Sequence, residues 1–270
     1  MLAKRIMPCL DMNKGRVVKG IGFKHLQDTG DPAELAALYE EQGADELVLL
    51  DVAASREHRD TIIDVVRRTS DAVNIPFTVG GGVRSVKDVR RMLLNGADKV
   101  TINTAAVLKP TLLSESSNSF GSQCIVSSID VKRVYVQREI NVNEKVILET
   151  GEGKCWWDTY IYGGTKSVGI DALKWAETVV KMGAGEIVAS SLDFDGTKKG
   201  YDLEFLKELS ERVSVPVIAS SGAGNPKHML EALTIGAADA ALAASIFHYG
   251  NYTVKEVKEY LLENGILVRL

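Results

Sequence analysis

The strongest constraint on this chain is that it nearly repeats itself: sliding it by 140 residues brings its two halves into register. Gly30-Asp31 and Ala36 meet Ile170-Asp171 and Ala176, and Gly43-Ala44-Asp45-Glu46-Leu47-Val48 meets Gly183-Ala184-Gly185-Glu186-Ile187-Val188. Ile75-Pro76 through Gly82 meets Val215-Pro216 through Gly222, and Gly96-Ala97 meets Gly236-Ala237; one extra alanine then sets Asp98 against Asp239. Each half reads as four short β-branched runs, each followed by a segment of helical period, the pattern of successive βα units on a parallel sheet. The spacing predicts strands at 5–10, 46–51, 76–80, 99–103, 124–129, 186–191, 216–220 and 239–244. An open doubly wound sheet uses the same units but has no reason to duplicate at so regular an offset. The expected class is therefore α/β, a (β/α)8 TIM barrel with a two-fold half-barrel repeat. Such barrels run to about 250 residues, so 1–270 is expected to be a single domain.

Helix punctuation fits this frame. Asp31-Pro32, Ser85 and Asn225-Pro226 open helices, and Gly43, Gly96, Gly183 and Gly236 close them. One stretch is irregular. From about 132 to 164, in the place of the fifth βα loop, the alternating Val134-Tyr135-Val136-Gln137 and Lys145-Val146-Ile147-Leu148-Glu149 predict a β-hairpin, followed by Trp156-Trp157. A long ordered loop on that face of a barrel is more often functional than decorative.

With 45% hydrophobic and 25% charged residues the chain can bury a large core, and disorder is not expected. A net charge of -4 gives no field to attract nucleic acid or an anionic membrane, so any phosphate must be held by local groups. No apolar run approaches the roughly 20 residues of a membrane span, and Met1-Leu2-Ala3-Lys4 leads into a strand-like run, so a cytoplasmic location is expected. Cys9, Cys124 and Cys155 are odd in number and lack CxxC spacing; His25, His58, His228 and His248 show no ligand spacing. Neither a disulfide framework, nor a metal, nor a cofactor is expected.

Strand parity places the chemistry. Arg5, Met7, Cys9 and Asp11 share one face of the first strand, and Cys124, Val126, Ser128 and Asp130 share one face of the fifth. Both faces end in an aspartate at the C-terminal mouth, where barrel active sites lie. Two opposed carboxylates suit paired general acid and base work, although either could instead cap a helix or hold a loop amide. Gly80-Gly81-Gly82, Asn103-Thr104, Gly222-Ala223-Gly224 and Ala244-Ser245 follow strands three, four, seven and eight. They put small residues where backbone can approach an anion, one site in each half, so the ligand should carry a phosphate at each end. At the opposite end Arg5, Glu46, Lys99 and Glu186 begin strands on the inward parity. They predict either a ring of alternating charge beneath a narrow interior of Val48, Thr101 and Ser128, or a solvated rim of little energetic value.

These residues also carry a resemblance. Met1 to Ile6, Pro8-Cys9-Leu10-Asp11, Gly15-Arg16-Val17-Val18-Lys19-Gly20, Gly30-Asp31-Pro32 and Phe77 through Gly82 resemble the family of cyclase subunits of imidazole glycerol phosphate synthase (the HisF family). So do Ala97-Asp98-Lys99-Val100, Ile102-Asn103, Phe120-Gly121-Ser122-Gln123, Ile129-Asp130, Asp195-Gly196-Thr197 and Val268-Arg269-Leu270, so that the likeness spans essentially the whole chain. It implies a lyase of histidine biosynthesis that condenses ammonia with a biphosphorylated ribotide, called PRFAR, giving imidazole glycerol phosphate and a second ribotide, called AICAR. It implies Asp11 and Asp130 as the acid–base pair and Lys19 as a substrate-binding residue on the first loop. Gly82, Asn103 and Thr104 would hold one phosphate, and Asp195, Gly196, Gly222, Ala244 and Ser245 the other. The family takes ammonia from a glutaminase subunit docked at the N-terminal face. Arg5, Glu46, Lys99 and Glu186 would then gate the ammonia, with Asp98 a contact in the heterodimer.

Three positions depart from the family pattern: Ser221-Gly222 replaces a double glycine, Phe194 stands where an arginine is common, and the 132–164 segment is longer than in many relatives. The sister isomerase of the same pathway shares the barrel and both phosphate sites, but the Pro8-Cys9-Leu10-Asp11 start and the charged ring favour the cyclase. Retention of both aspartates and all four loops argues against a catalytically silent barrel.

Overall fold

A computed structural model describes residues 2–21, 24–54, 57, 61–136 and 145–270, and of residues 19–21 and 24–27 the backbone alone. In its first half, strands β1 (Arg5–Asn13), β2 (Arg16–Ile21) and β3 (Lys24–Gly30) precede helix α1 (Pro32–Glu41). Then come β4 (Leu47–Asp51), α2 (Ile63–Asp71), β5 (Phe77–Gly80), α3 (Val86–Leu94), β6 (Lys99–Ile102), α4 (Thr104–Leu108) and α5 (Thr111–Phe120). The second half runs β7 (Ile125–Tyr135), β8 (Leu148–Thr150), β9 (Gly153–Ile161), β10 (Lys166–Asp171), α6 (Ala172–Lys181), β11 (Glu186–Ser191) and α7 (Leu203–Arg212). It ends with β12 (Val217–Ser220), α8 (Pro226–Thr234), β13 (Ala240–Ala243), α9 (Ser245–His248) and α10 (Val254–Glu263).

The expected barrel forms. Parallel ladders join β1, β4, β5, β6, β7, β11, β12 and β13 in that order, and β13 pairs back onto β1 through Arg5 opposite Ala240 and Pro8 opposite Ala243. Closure leaves none of these eight strands at an edge, which an open arrangement of them would. Because side chains alternate, two apolar layers result. The interior holds Met7, Cys9, Val48, Val126, Val188, Ile218, Ala240 and Leu242. The outer layer packs the other strand faces, such as Leu49, Val79, Val100 and Ile187, beneath helix stripes at helical spacing, such as Phe205, Leu206 and Leu209 of α7. Each such residue, fully buried, stabilises by about 1.5–3 kcal/mol before entropy is counted.

The repeat survives in three dimensions. Helix α1 recurs residue for residue as α6, and α3 as α8. Their caps recur too: Asp31 accepts from Ala33 N–H and Asp171 from Leu173 N–H, while Ser85 accepts from Asp88 N–H and Asn225 from His228 N–H. Gly43, Gly96 and Gly183 follow their helices with φ between +86° and +99°, as expected of closing glycines. Gly236 does not. The left-handed position falls on Ala237, the inserted alanine, at φ +54°. Gly236 is required for another reason, since a Cβ there would lie 2.7 Å from the Ala232 carbonyl oxygen.

The irregular segment also differs from its expectation. Among the described residues Val134 and Tyr135 pair antiparallel with Trp156 and Cys155 of β9, not with 145–149. Leu148 to Thr150 and β10 both pair with the edge of β9 that faces away from β7, so Trp156-Trp157 lies in the central strand of the added sheet. Part of the sequence between the two runs, 137–144, lies outside the described residues.

Candidate active site

At the C-terminal ends of the barrel strands one cavity gathers most of the expected residues. Asp11 and Asp130 both line it, from β1 and β7 on opposite sides of the barrel. Gly82, Asn103 and Thr104 line it from the first half, and Asp195, Gly196, Gly222, Ala244 and Ser245 from the second. The two carboxylates therefore share a chamber with small-residue loops on both flanks. Lys19 lies on β2, and its side chain is outside the described residues.

Asp130 is the most perturbed group there. Burial pushes its carboxyl up to about 7, the nearby negative charge of Asp195 adds to this, and a hydrogen bond from Asn103 Nδ2 at 2.9 Å opposes it. A carboxyl that titrates near neutrality can give or take a proton under ordinary conditions. Asp11 is buried, and one of its oxygens lies 3.4 Å from the Cys9 thiol. Asp195 contributes charge as well as shape. Its backbone N–H is committed to the Ser191 carbonyl, and its carboxylate acts on Asp130.

The loops are built for close approach. Gly81 and Gly82 take φ of +96° and +69°, and a Cβ on Gly81 would run into the carbonyl of Asp51. Gly222 is equally tight against the carbonyl of Gly200, whose N–H donates to the Gly222 carbonyl at 2.9 Å. Ser221, the departure noted in the sequence, occupies the left-handed position that Gly81 holds in the first half, at φ +75°. A non-glycine residue there is strained by about 1–2 kcal/mol. Asn103 spends its amide on Asp130, and the Thr104 hydroxyl accepts from Tyr162 N–H at 2.9 Å. Thr104 thus ties the added sheet to the mouth, where Gly163 also lines the cavity.

At the opposite end the four inward charges close a ring. Arg5 donates to Glu46 at 2.6 Å and Glu186 at 2.8 Å, and Lys99 reaches the same two carboxylates at 2.9 and 3.0 Å. Their side chains are only 8–15% exposed, so this is not a solvated rim. Burial works against the charge of Arg5, but Glu186 and Glu46 outweigh it and hold the guanidinium more firmly protonated than usual. Above the ring lie Val48 and, lining the cavity, Thr101 and Ser128, and the Thr101 hydroxyl has no hydrogen-bond partner among the described residues. Asp98 is exposed at this end and accepts from Phe77 N–H at 2.8 Å, stapling β5 to the turn before β6.

Sequence reasoning missed two charged lining residues. Asp51 ends β4, is buried, and accepts from Ala54 N–H at 3.2 Å. It ends the 46–51 run on the outward parity of Leu47 and Leu49, which hid it. Lys198 follows the Asp195-Gly196-Thr197 motif, and a single lysine on a loop carries no signal of its own in the sequence. His228 and His248 make hydrogen bonds, to Gly224 N–H and Tyr39 OH. The His25 side chain and all of His58 lie outside the described residues.

The family model described as "Histidine biosynthesis protein" matches residues 5–253. The chain is 56% identical over 271 aligned residues to the imidazole glycerol phosphate synthase subunit HisF of Methanocaldococcus jannaschii, covering all of both proteins. It is 54% identical to HisF of Methanopyrus kandleri, over 99% of this chain and 98% of that one. HisF of the cyanobacterium Microcystis aeruginosa is 55% identical over the full length of both.

Proposed function

From the premise that the chain belongs to the histidine biosynthesis protein family, as a HisF-type subunit of imidazole glycerol phosphate synthase, we propose that it is the cyclase that condenses ammonia with PRFAR to release imidazole glycerol phosphate, AICAR and water. The observation that carries the reading is the placement of Asp11 and Asp130 in one cavity between loops of small residues from both half-barrels. A substrate with a phosphate at each end spans such a chamber, its phosphates held by loop N–H groups around Gly82, Asn103 and Thr104 on one side and Gly196, Gly222, Ala244 and Ser245 on the other. Lys19 assists from the first loop. The reacting centre then sits between two carboxylates. Ring closure needs one proton delivered and one removed, and a carboxyl titrating near 7 is suited to exchange at physiological pH.

Ammonia arrives from the other end. A glutaminase subunit docks on the N-terminal face, touching Asp98, and ammonia passes the ring of Arg5, Glu46, Lys99 and Glu186 into the interior beside Thr101. No helix among the described residues is long and apolar enough to cross a membrane; the enzyme works in the cytoplasm as a heterodimer.

Loss of PRFAR absorbance tests the reaction. The chain alone should turn PRFAR over with a high concentration of ammonium salt, and Asp11→Asn and Asp130→Asn should each lower kcat by at least about 10²-fold while PRFAR still binds. No turnover with ammonium, or near-normal rates in both variants, would overturn the assignment.

A further inference from the structure

The cavity has a charge problem. Its described lining carries the carboxylates of Asp11, Asp51, Asp130 and Asp195, yet on the function proposed for it the cavity accepts two phosphates, each bearing about -1.5 to -2 at neutral pH. Loop N–H groups offer partial charges only. Among the described lining residues a single side chain, Lys198, is a lysine or arginine.

Its position is fixed by its neighbours. Lys198 has φ +57°, a left-handed conformation that costs a non-glycine residue and persists only where the surroundings impose it. Here they do: a Cβ on Gly224 would strike the Lys198 carbonyl oxygen, and one on Gly222 would strike that of Gly200, so the loop after β11 and the loop after β12 lie in backbone contact at Lys198 and again two residues beyond it. The Lys198 ammonium sits 5.7 Å from the centre of the Tyr249 ring, which follows α9 and the Ala244-Ser245 turn. Backbone contact with the strand-seven loop and ring contact beyond the strand-eight loop bracket the small-residue cradle of the second half.

We propose that Lys198 is the phosphate-recognising cation of the second half-barrel, held across that cradle by its backbone and by Tyr249. This rests on the proposed cyclase reaction for its substrate, but not for its ligand chemistry, which is a phosphate group whatever molecule carries it. Lys198 is exposed and lines the cavity, so its side chain can leave the Tyr249 face for an incoming phosphate without unfolding the loop.

Lys198→Met and Lys198→Arg test it. In the ammonium-driven reaction Lys198→Met should raise KM for PRFAR about 10- to 100-fold with kcat within about twofold, the scale of one charge-assisted hydrogen bond to an anion. Lys198→Arg should stay within a few-fold of the parent. Calorimetric titration with inorganic phosphate gives a second readout: in the Met variant one phosphate site should weaken by a similar factor while the other is unchanged. Unaltered KM and unaltered phosphate binding in Lys198→Met would overturn the proposal, as would an equal loss in the Met and Arg variants. If the parent protein bound phosphate but did not consume PRFAR, the assigned reaction would fall, and the phosphate titration would still decide the role of Lys198.

Discussion

On the reaction proposed above, Asp130 sets function against stability. Its carboxyl is raised to about 7 from an ordinary 3.8, chiefly by burial and then by Asp195. In the unfolded chain it ionises near the ordinary value, so the folded state binds the proton more tightly. The folded state is thus favoured by this group at low pH, and that advantage is lost as pH rises from about 4 through 7; above 7 the buried negative charge is a standing cost. A displacement of that size is worth roughly 4 kcal/mol, less whatever the partial exposure of the side chain relieves. Asp130→Asn removes the charge and keeps the shape. The variant should melt within a degree or two of the parent at pH 4.5 and several degrees higher at pH 8, while being inactive. Melting curves at the two pH values check this, and an Asn variant less stable than the parent at pH 8 would show that the charged form is well accommodated. Ser221 is a smaller case of the same kind, a strained residue retained at the mouth.

The elements that carry such residues are held by polar joints as well as by apolar faces. The added sheet could swing on its connections, yet Arg133 of β7 is clamped to Asp202 at the start of α7 by bonds of 2.5 and 3.1 Å. Asp202 also accepts from Trp157 Nε1 at 2.9 Å and Ser191 at 3.2 Å, and caps α7 through Phe205 N–H. The guanidinium lies over the Trp157 ring and, at 5.4 Å, over Phe194. Phe194, the departure from the family's arginine, thereby forms one face of a sandwich around an arginine supplied from β7. Asp193 completes the joint by accepting from Arg133 N–H at 2.7 Å. Only 2% of the Asp202 side chain is exposed, so its removal would strand a buried cation and an indole N–H. Asp202→Ala should cost about 3 kcal/mol, the low end for breaking a buried pair because Glu204 still faces Arg133 at 2.7 Å. That is a fall of about 6 to 12 °C in Tm. Thermal unfolding followed by tryptophan fluorescence measures it, and a change under 2 °C would mean the sheet is held by its apolar contacts alone.

At the scale of the whole molecule, what could be read in the sequence is what repetition and parity encode. The 140-residue offset disclosed the barrel because duplicated helices such as α1 and α6 keep their caps and lengths, and alternation along β1 and β7 was enough to aim Asp11 and Asp130 at one mouth. Contacts between segments far apart in sequence were not legible. The pairing of β7 with β9 is joined across residues 136–152, where the matching pairing of β1 with β2 is joined across 14–15 alone, and the seat of Lys198 depends on two glycines in another loop. The charged ring lies between these cases. Parity named its members, but that each cation bridges both carboxylates is a fact of the closed barrel, because Arg5, Glu46, Lys99 and Glu186 start four separate strands. That closure separates the two ends: the cavity with Asp11 and Asp130 is at one mouth and the ring at the other. On the reading that ammonia enters through the ring, Lys99→Met should leave ammonium-driven turnover within about threefold, since external ammonia can reach the cavity from its open side. Glutamine-driven turnover with the glutaminase subunit should instead become uncoupled, with glutamate formed in excess of imidazole glycerol phosphate. Measuring both products in one assay decides it: a ratio that stays at one would mean the ring is a structural closure of the barrel and not a passage.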